Sequence, residues 1–137
     1  MSASGGCLCG AVRFEVRRSL RPVSFCHCGQ CRAQTGTFVG ATEAADADVT
    51  ITGGENVAWY RASDEAARGF CSTCGSLLLW KRDGKDRTSI MAGAFDDGTP
   101  LVADRHIFVE SKPDWYAIDD GLPRYARSSR DGPPLDA

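Results

Sequence analysis

The sequence predicts a mainly β single domain with a small core tied together by clustered cysteines, and three observations carry that expectation. Apolar residues recur in short, strand-length stretches broken by Gly, Asp and Pro, with little helical periodicity. The 137 residues suffice for one core and fall short of two ordinary domains. The seven cysteines fall in three tight groups, Cys7-x-Cys9, Cys26-x-Cys28-x-x-Cys31 and Cys71-x-x-Cys74. An odd number cannot pair off as disulfides, and neighbours two or three apart are spaced to share a metal ion. Buried cysteines acting only as small hydrophobes would be scattered along the chain.

The elements follow in order. In AVRFEV (11–16), Val12, Phe14 and Val16 share one face and Arg13 and Glu15 the other, which reads as a half-buried strand. TFVGA (37–41), DVTITGG (48–54) and VAWYRA (57–62) read as further strands, with Gly53-Gly54 marking a turn. SDEAARGF (63–70) is expected to hold a turn of helix capped by Ser63. SLLLWKR (76–82) reads as a buried strand, DGK (83–85) as a turn and RTSIMAGAF (87–95) as another strand. DDGTP is a loop, RHIFVES (105–111) alternates apolar and polar, and PDWYAI (113–118) is expected to form a short helix or a strand end. The domain is expected to span residues 1–125, with the aperiodic tail 126–137 mobile or laid on the surface.

Composition narrows the partners. Hydrophobic residues make up 42% and charged residues 25%, as in ordinary globular proteins, and the formal net charge is −2. A weakly acidic chain without a basic segment is poorly suited to nucleic acid or an anionic membrane surface. No apolar run reaches membrane-spanning length, and MSASGGCLCG lacks a basic region followed by an apolar core. The expected location is therefore a reducing cytoplasm, where disulfides are rare. The glycine-rich loops match no nucleotide-binding fingerprint. The oligomeric state stays open.

Two cysteine groups sit beside glycine, in GCLCG (6–10) and CSTCG (71–75). A metal knuckle turns the backbone so that amides point at the sulfurs, and glycine after the second cysteine accepts the positive φ this often requires. Cys7, Cys9, Cys71 and Cys74 would then close one structural zinc site. The alternative is a zinc ribbon pairing Cys28 and Cys31 with Cys71 and Cys74, leaving Cys7, Cys9 and Cys26 over. Against it, CGQCR lacks an apolar strand after its second cysteine, and ribbon modules are usually basic.

Under the first partition Cys26, Cys28 and Cys31 remain, and three ligands leave one position of a tetrahedral ion open, as in catalytic zinc. Three thiolates leave zinc with a net charge of about −1, a weak Lewis acid suited to a fourth sulfur rather than to ionising water. A bound thiol would lose its proton and become a nucleophile. Arg32 is placed to offset that charge or to hold a substrate carboxylate. His27, between two ligands, is expected to point away from their ion and toward the substrate. Gln30 and Thr35 are further candidates for substrate binding, with Lys112 and Trp115 weaker ones. His106 is expected to pack in or near the core.

GGCLCGAVRFEV, FCHCGQCRAQTG, ARGFCSTCGSLL and HIFVESKPDWYAIDDGLPRY together resemble the glutathione-dependent formaldehyde-activating enzyme family, which includes centromere protein V. The resemblance runs from about residue 5 to residue 125. It implies a β-tent fold of small antiparallel sheets around two zinc ions. Cys7, Cys9, Cys71 and Cys74 match the structural ligands, and Cys26, Cys28 and Cys31 match those of the catalytic site. It also implies a carbon–sulfur lyase that adds glutathione, or a similar small thiol, to an aldehyde such as formaldehyde. The competing expectations are a non-catalytic zinc module that binds a macromolecule, and a metal-storage or redox role for the second cluster.

Overall fold

The computed structural model describes residues 2–136. In chain order the strands are β1 (Ala3–Gly6), β2 (Arg13–Val16), β3 (Val23–Cys26), β4 (Val39–Ala45), β5 (Val49–Thr52), β6 (Val57–Tyr60), β7 (Ala66–Cys71), β8 (Leu77–Arg82), β9 (Arg87–Met91) and β10 (Ala103–Ile107). One α-helix, α1 (Gly29–Thr35), follows β3. The mainly β expectation holds. The chain folds as two compact units, one from the chain up to Arg21 with Thr42–Leu101, the other from Pro22–Ala41 with the chain from Val102 onward.

In the first unit, β2 pairs antiparallel with β1 on one side and β5 on the other. The alternation read from the sequence places Val12, Phe14 and Val16 in the core, all under 5% exposed. They pack with Cys7, Ala44, Cys71, Leu78, Leu79, Ile90 and Phe95. Each large aliphatic buried there contributes roughly 1.5–3 kcal/mol. Phe14 meets Phe95 edge-to-face with ring centroids 5.0 Å apart. Gly5 sits opposite Phe14 in the register, where an added Cβ would lie 2.2 Å from the Ala94 carbonyl oxygen and 2.6 Å from Phe14 Cζ. Strands β6 to β9 form an antiparallel meander.

The helical turn expected after Ser63 is not formed. Ser63 Oγ accepts the Glu65 amide in a turn, and Ala66 already begins β7. Pairing of Ala66 and Ala67 with Arg82 and Lys81 of β8 overrides their helix preference.

In the second unit, β3 pairs antiparallel with residues 39–41 of β4 and in parallel with β10. That parallel ladder departs from the expected antiparallel sheets. It aligns Phe25 with His106 and Cys26 with Ile107. PDWYAI forms neither helix nor strand; the Tyr116 amide closes a turn on the Pro113 carbonyl at 3.4 Å. The segment after it returns along β10, with Tyr125 N–H donating to His106 O at 2.9 Å and Phe108 N–H to Arg127 O at 3.0 Å. The Leu135 amide donates to Arg124 O.

Helix α1 was not foreseen. Cys28 serves as its N-cap, the sulfur accepting the Cys31 amide at 3.3 Å. Gln30, Arg32, Ala33 and Gln34 favour helix, and Gly36 ends it in the left-handed region at φ 93°, its N–H on Arg32 O.

Candidate metal centres

None of the described cysteines forms a disulfide. Their side chains assemble into two groups: Cys7, Cys9, Cys71 and Cys74 in the first unit, and Cys26, Cys28 and Cys31 in the second. Within each group the sulfurs lie within 4.8 Å of one another. The ribbon partition, which needs Cys28 and Cys31 beside Cys71 and Cys74, is not the grouping observed.

Two glycine-ended knuckles build the first group. Gly10 and Gly75 stand at φ 82° and 80°, as expected for the residue after the second cysteine. The Val12 amide donates to Cys7 Sγ at 3.2 Å, and Ser76 Oγ lies 3.2 Å from Cys74 Sγ. Hydrogen bonds from the Ser76 hydroxyl and amide, with the Cys9 amide, draw the Cys74 thiol down to about 5. Cys7 Sγ lies 3.6 Å from Cys9 Sγ, and Cys9 Sγ 3.8 Å from Cys71 Sγ. Sulfurs bound tetrahedrally to zinc at about 2.3 Å stand about 3.8 Å apart, and these two separations match that spacing.

The second group is assembled at a strand-to-helix junction. Cys26 ends β3, Cys28 caps α1, and Cys31 is buried in the first turn of the helix. The Cys28 and Cys31 sulfurs are 3.2 Å apart. The neighbouring Cys28 and Cys31 thiols, with burial, push the Cys26 thiol far above its ordinary value. Three crowded sulfurs ionise together only with a cation among them, and a thiolate donor set suits zinc.

Around this junction lies a chain of hydrogen bonds that local sequence patterns do not announce. His27, 2% exposed, places Nε2 2.8 Å from Nδ1 of His106, itself 1% exposed. His106 Nε2 lies 2.7 Å from Asp120 Oδ2, and the Leu122 amide donates to Asp120 Oδ1 at 3.0 Å. Burial, reinforced by His106 and Lys112, pulls the His27 pKa down to about 4. The rings of Phe38 and Tyr116 lie 4.8 and 6.0 Å from that of His27. The chain contains 2 histidines, and they bond to each other. Asp120, Phe38 and Tyr116 were not singled out from the sequence; their contacts to the histidines are long-range and leave no local spacing signal.

The other expected site residues are spread around the junction. Arg32 donates from Nη1 to the Ser111 carbonyl at 3.1 Å. Gln30 is exposed on α1, and Thr35 Oγ1 donates to the Cys31 carbonyl at 2.7 Å. Lys112 Nζ donates to the carbonyls of Pro113 and Tyr116, while Trp115 is 66% exposed. A cavity of about 500 Å³ in the first unit is lined by Cys7, Leu8, Arg13, Met91, Phe95 and Asp96. It adjoins the four-thiol group, which has no ligand position to spare, and none of Cys26, Cys28 and Cys31 lines it.

The chain is similar to known proteins. The family model described as glutathione-dependent formaldehyde-activating enzyme matches residues 2–111. A Halomonas elongata protein that carries the provisional name of glutathione-dependent formaldehyde-activating enzyme is 36% identical over 131 residues, covering 87% of this chain and 82% of that protein. An uncharacterised lyase of Schizosaccharomyces pombe is 30% identical over 113 residues, covering 82% of each. A crystal structure of a Rhodobacter sphaeroides protein, a structural genomics target, superposes with a TM-score of 0.57 at 27% identity, over 71% of this chain and 91% of that one.

Proposed function

Because the chain belongs to the glutathione-dependent formaldehyde-activating enzyme family, we propose that it adds a low-molecular-weight thiol such as glutathione to an aldehyde such as formaldehyde. The observation that carries the proposal is the count of sulfurs. Four thiols complete one tetrahedral set, and Cys26, Cys28 and Cys31 make a second set one ligand short. A zinc ion held by those three would supply a thiophilic cation beside which an incoming thiol loses its proton at neutral pH.

The bond changes balance without an oxidant or a leaving group. The thiolate sulfur attacks the aldehyde carbon, one carbon–sulfur bond forms, the carbonyl π bond breaks, and the oxygen takes up a proton. The protein's own side chains bind and orient. Arg32, with one N–H on Ser111, retains further donors for a substrate carboxylate. Gln30, exposed on the helix that carries Cys31, would contribute a polar contact to the thiol, and Thr35, whose hydroxyl donates to the Cys31 carbonyl, would steady that turn of the helix. His27 stands between two of the three cysteines and contributes a ring held by its neighbours.

The test is carbon NMR of S-hydroxymethylglutathione formation from labelled formaldehyde and glutathione, with and without the zinc-loaded protein. A faster approach to the same equilibrium is expected. A rate equal to the uncatalysed one would remove these substrates from consideration.

A further inference from the structure

We infer that strand β6 is the surface through which two copies of this chain pair, edge to edge and antiparallel, about a two-fold axis at Trp59. The inference stands independently of the function proposed above.

Among the described strands, β6 lies at the end of its sheet and pairs with β7 alone. The register tells which of its main-chain groups stay outside that ladder. The Asn56 C=O accepts the Ser72 amide at 2.8 Å, while the Cys71 amide, opposite Val57, donates to Ser76 O instead. Polar groups alternate in direction along an antiparallel strand. Ala58 and Tyr60 therefore turn theirs to β7, and Val57 and Trp59 turn theirs outward. The Val57 N–H is taken by Gly54 O in the preceding 3₁₀ turn. The edge is left offering the Val57 C=O and both polar groups of Trp59.

Edge strands are commonly guarded by Lys, Pro or a bulge. Val57–Tyr60 reads VAWY, without a charge or a proline, and its register with β7 runs without a shift. Trp59 is 49% and Tyr60 61% exposed. A Cβ built on Gly69 would lie 3.1 Å from Trp59 Cη2 and Cζ3 and 3.1 Å from Val57 Cγ1. Both side chains thus rest on β7 over Gly69, and the indole is ordered before any partner arrives, which lowers the cost of association.

The occupant that fits is a second copy, because the spare groups complement themselves. With the axis at Trp59, its N–H donates to the Trp59 C=O of the second copy, and symmetry repeats the bond in reverse. Arg61, next in the alternation, brings its N–H to the Val57 C=O of the second copy. That register asks no donor of Val57, whose N–H is already committed. An axis at Ala58 would set Trp59 opposite Val57 and leave the Trp59 carbonyl unpaired. The side chains favour the same register: small Ala58 stands opposite Tyr60, and Trp59 meets Trp59 on the other face. The Arg61 guanidinium is held by Asp83, so it brings no unpaired charge to the interface. A pairing of so few residues lies at the small end of specific interfaces, so the dimer forms and dissociates with concentration.

The test is sedimentation of the zinc-loaded full chain from about 1 µM to about 1 mM, with amide exchange followed by NMR at both ends. The mass is expected to rise from 14.7 kDa toward twice that value, and the Trp59 amide to exchange more slowly in the concentrated sample. Trp59→Lys sets like charges against each other across the axis. It should raise the dissociation constant roughly thirtyfold or more, the effect of losing a central anchor. Trp59→Pro removes an outward N–H from the backbone, a change an edge strand tolerates, and should be equally monomeric. Zinc content and a thermal melt establish that the variants are folded. A wild type that stays monomeric at every concentration would overturn the inference and leave the edge to a strand of another protein. A dimer that survives in both variants would overturn it too, since the interface would then lie elsewhere. Should neither variant fold, a Trp59 amide that still exchanges fast in the concentrated wild type would overturn it as well.

Discussion

His106 Nε2 lies 2.7 Å from Asp120 Oδ2, so a ring 1% exposed is joined to a carboxylate 42% exposed. The hydrogen bond to His106, with that from the Leu122 amide, holds the Asp120 pKa below its ordinary value. The sign of the linkage follows. The folded state resists protonating Asp120 more than the unfolded state does, so the contribution is full above the unfolded pKa of about 3.9 and is lost as pH falls through the lower folded value. Asp120→Asn should therefore be less stable than wild type at pH 7, by up to about 1 kcal/mol for so exposed a partner. The difference should shrink below about pH 4. Urea unfolding of both proteins at pH 7, 4 and 3 measures it; a difference that grows toward acid would contradict the ionised carboxylate.

The two cysteine groups should respond differently to loss of one sulfur. Cys71 is 0% exposed and packs with Leu78, Leu79 and Ile90, so its sulfur is both ligand and core. Cys71→Ser should abolish cooperative folding, because ion binding and folding are coupled where the site ties distant strands together. Cys28→Ser should leave a folded protein with one zinc per chain instead of two. Zinc release measured against a thermal melt distinguishes the outcomes. A Cys28→Ser protein that fails to fold would make the second group structural as well.

What could be read from the sequence was local. The alternation of Val12, Phe14 and Val16 is a two-residue period and needs nothing beyond β2 itself. Gly10 and Gly75 follow their cysteines directly, and their positive φ was expected from that placement alone. The grouping of seven cysteines followed from spacing, with the resemblance favouring one partition. The misses depend on distant partners or unusual chemistry. A cysteine sulfur as N-cap falls outside the usual Ser, Thr, Asp and Asn, so nothing marked the start of α1. Strand β7 was misread because Ser63, Glu65, Ala66 and Ala67 suit a helix, until β8 pairs with the two alanines. His27 meets His106 across 79 residues, a contact no short motif encodes.

Two glycines should separate steric fit from backbone conformation. A Cβ at Gly5 would sit 2.2 Å from a backbone oxygen and 2.6 Å from the Phe14 ring, so β1 must shift to admit it. Gly10 has open space around its missing Cβ but stands at φ 82°. Gly10→Ala should cost about 1–2 kcal/mol, the left-handed penalty alone. Gly5→Ala should cost more, up to about 3 kcal/mol, as overpacking in a formed core does. Denaturant unfolding of the zinc-loaded proteins gives both values, and the reverse order would mean that β1 yields easily.

Phe108 is the one described non-glycine residue with positive φ, at 56°. It turns the chain from β10 into the short 3₁₀ turn Val109–Ser111, and Arg32 donates to the Ser111 carbonyl. An L-residue in this region carries roughly 1–2 kcal/mol of strain, which the surrounding hydrogen bonds must hold. Phe108 N–H donates to Arg127 O, and Phe108 O accepts from Ser111 N–H, so the turn is fixed on both sides. Truncation to Ala removes the half-buried ring and keeps the strain; truncation to Gly removes both. Phe108→Gly should therefore be more stable than Phe108→Ala by about 1 kcal/mol, the reverse of their usual order in a strand or helix. Paired urea titrations decide it. A Phe108→Ala protein at least as stable as Phe108→Gly would mean that the turn relaxes out of the left-handed region, and Ser111 would then no longer be held beneath Arg32.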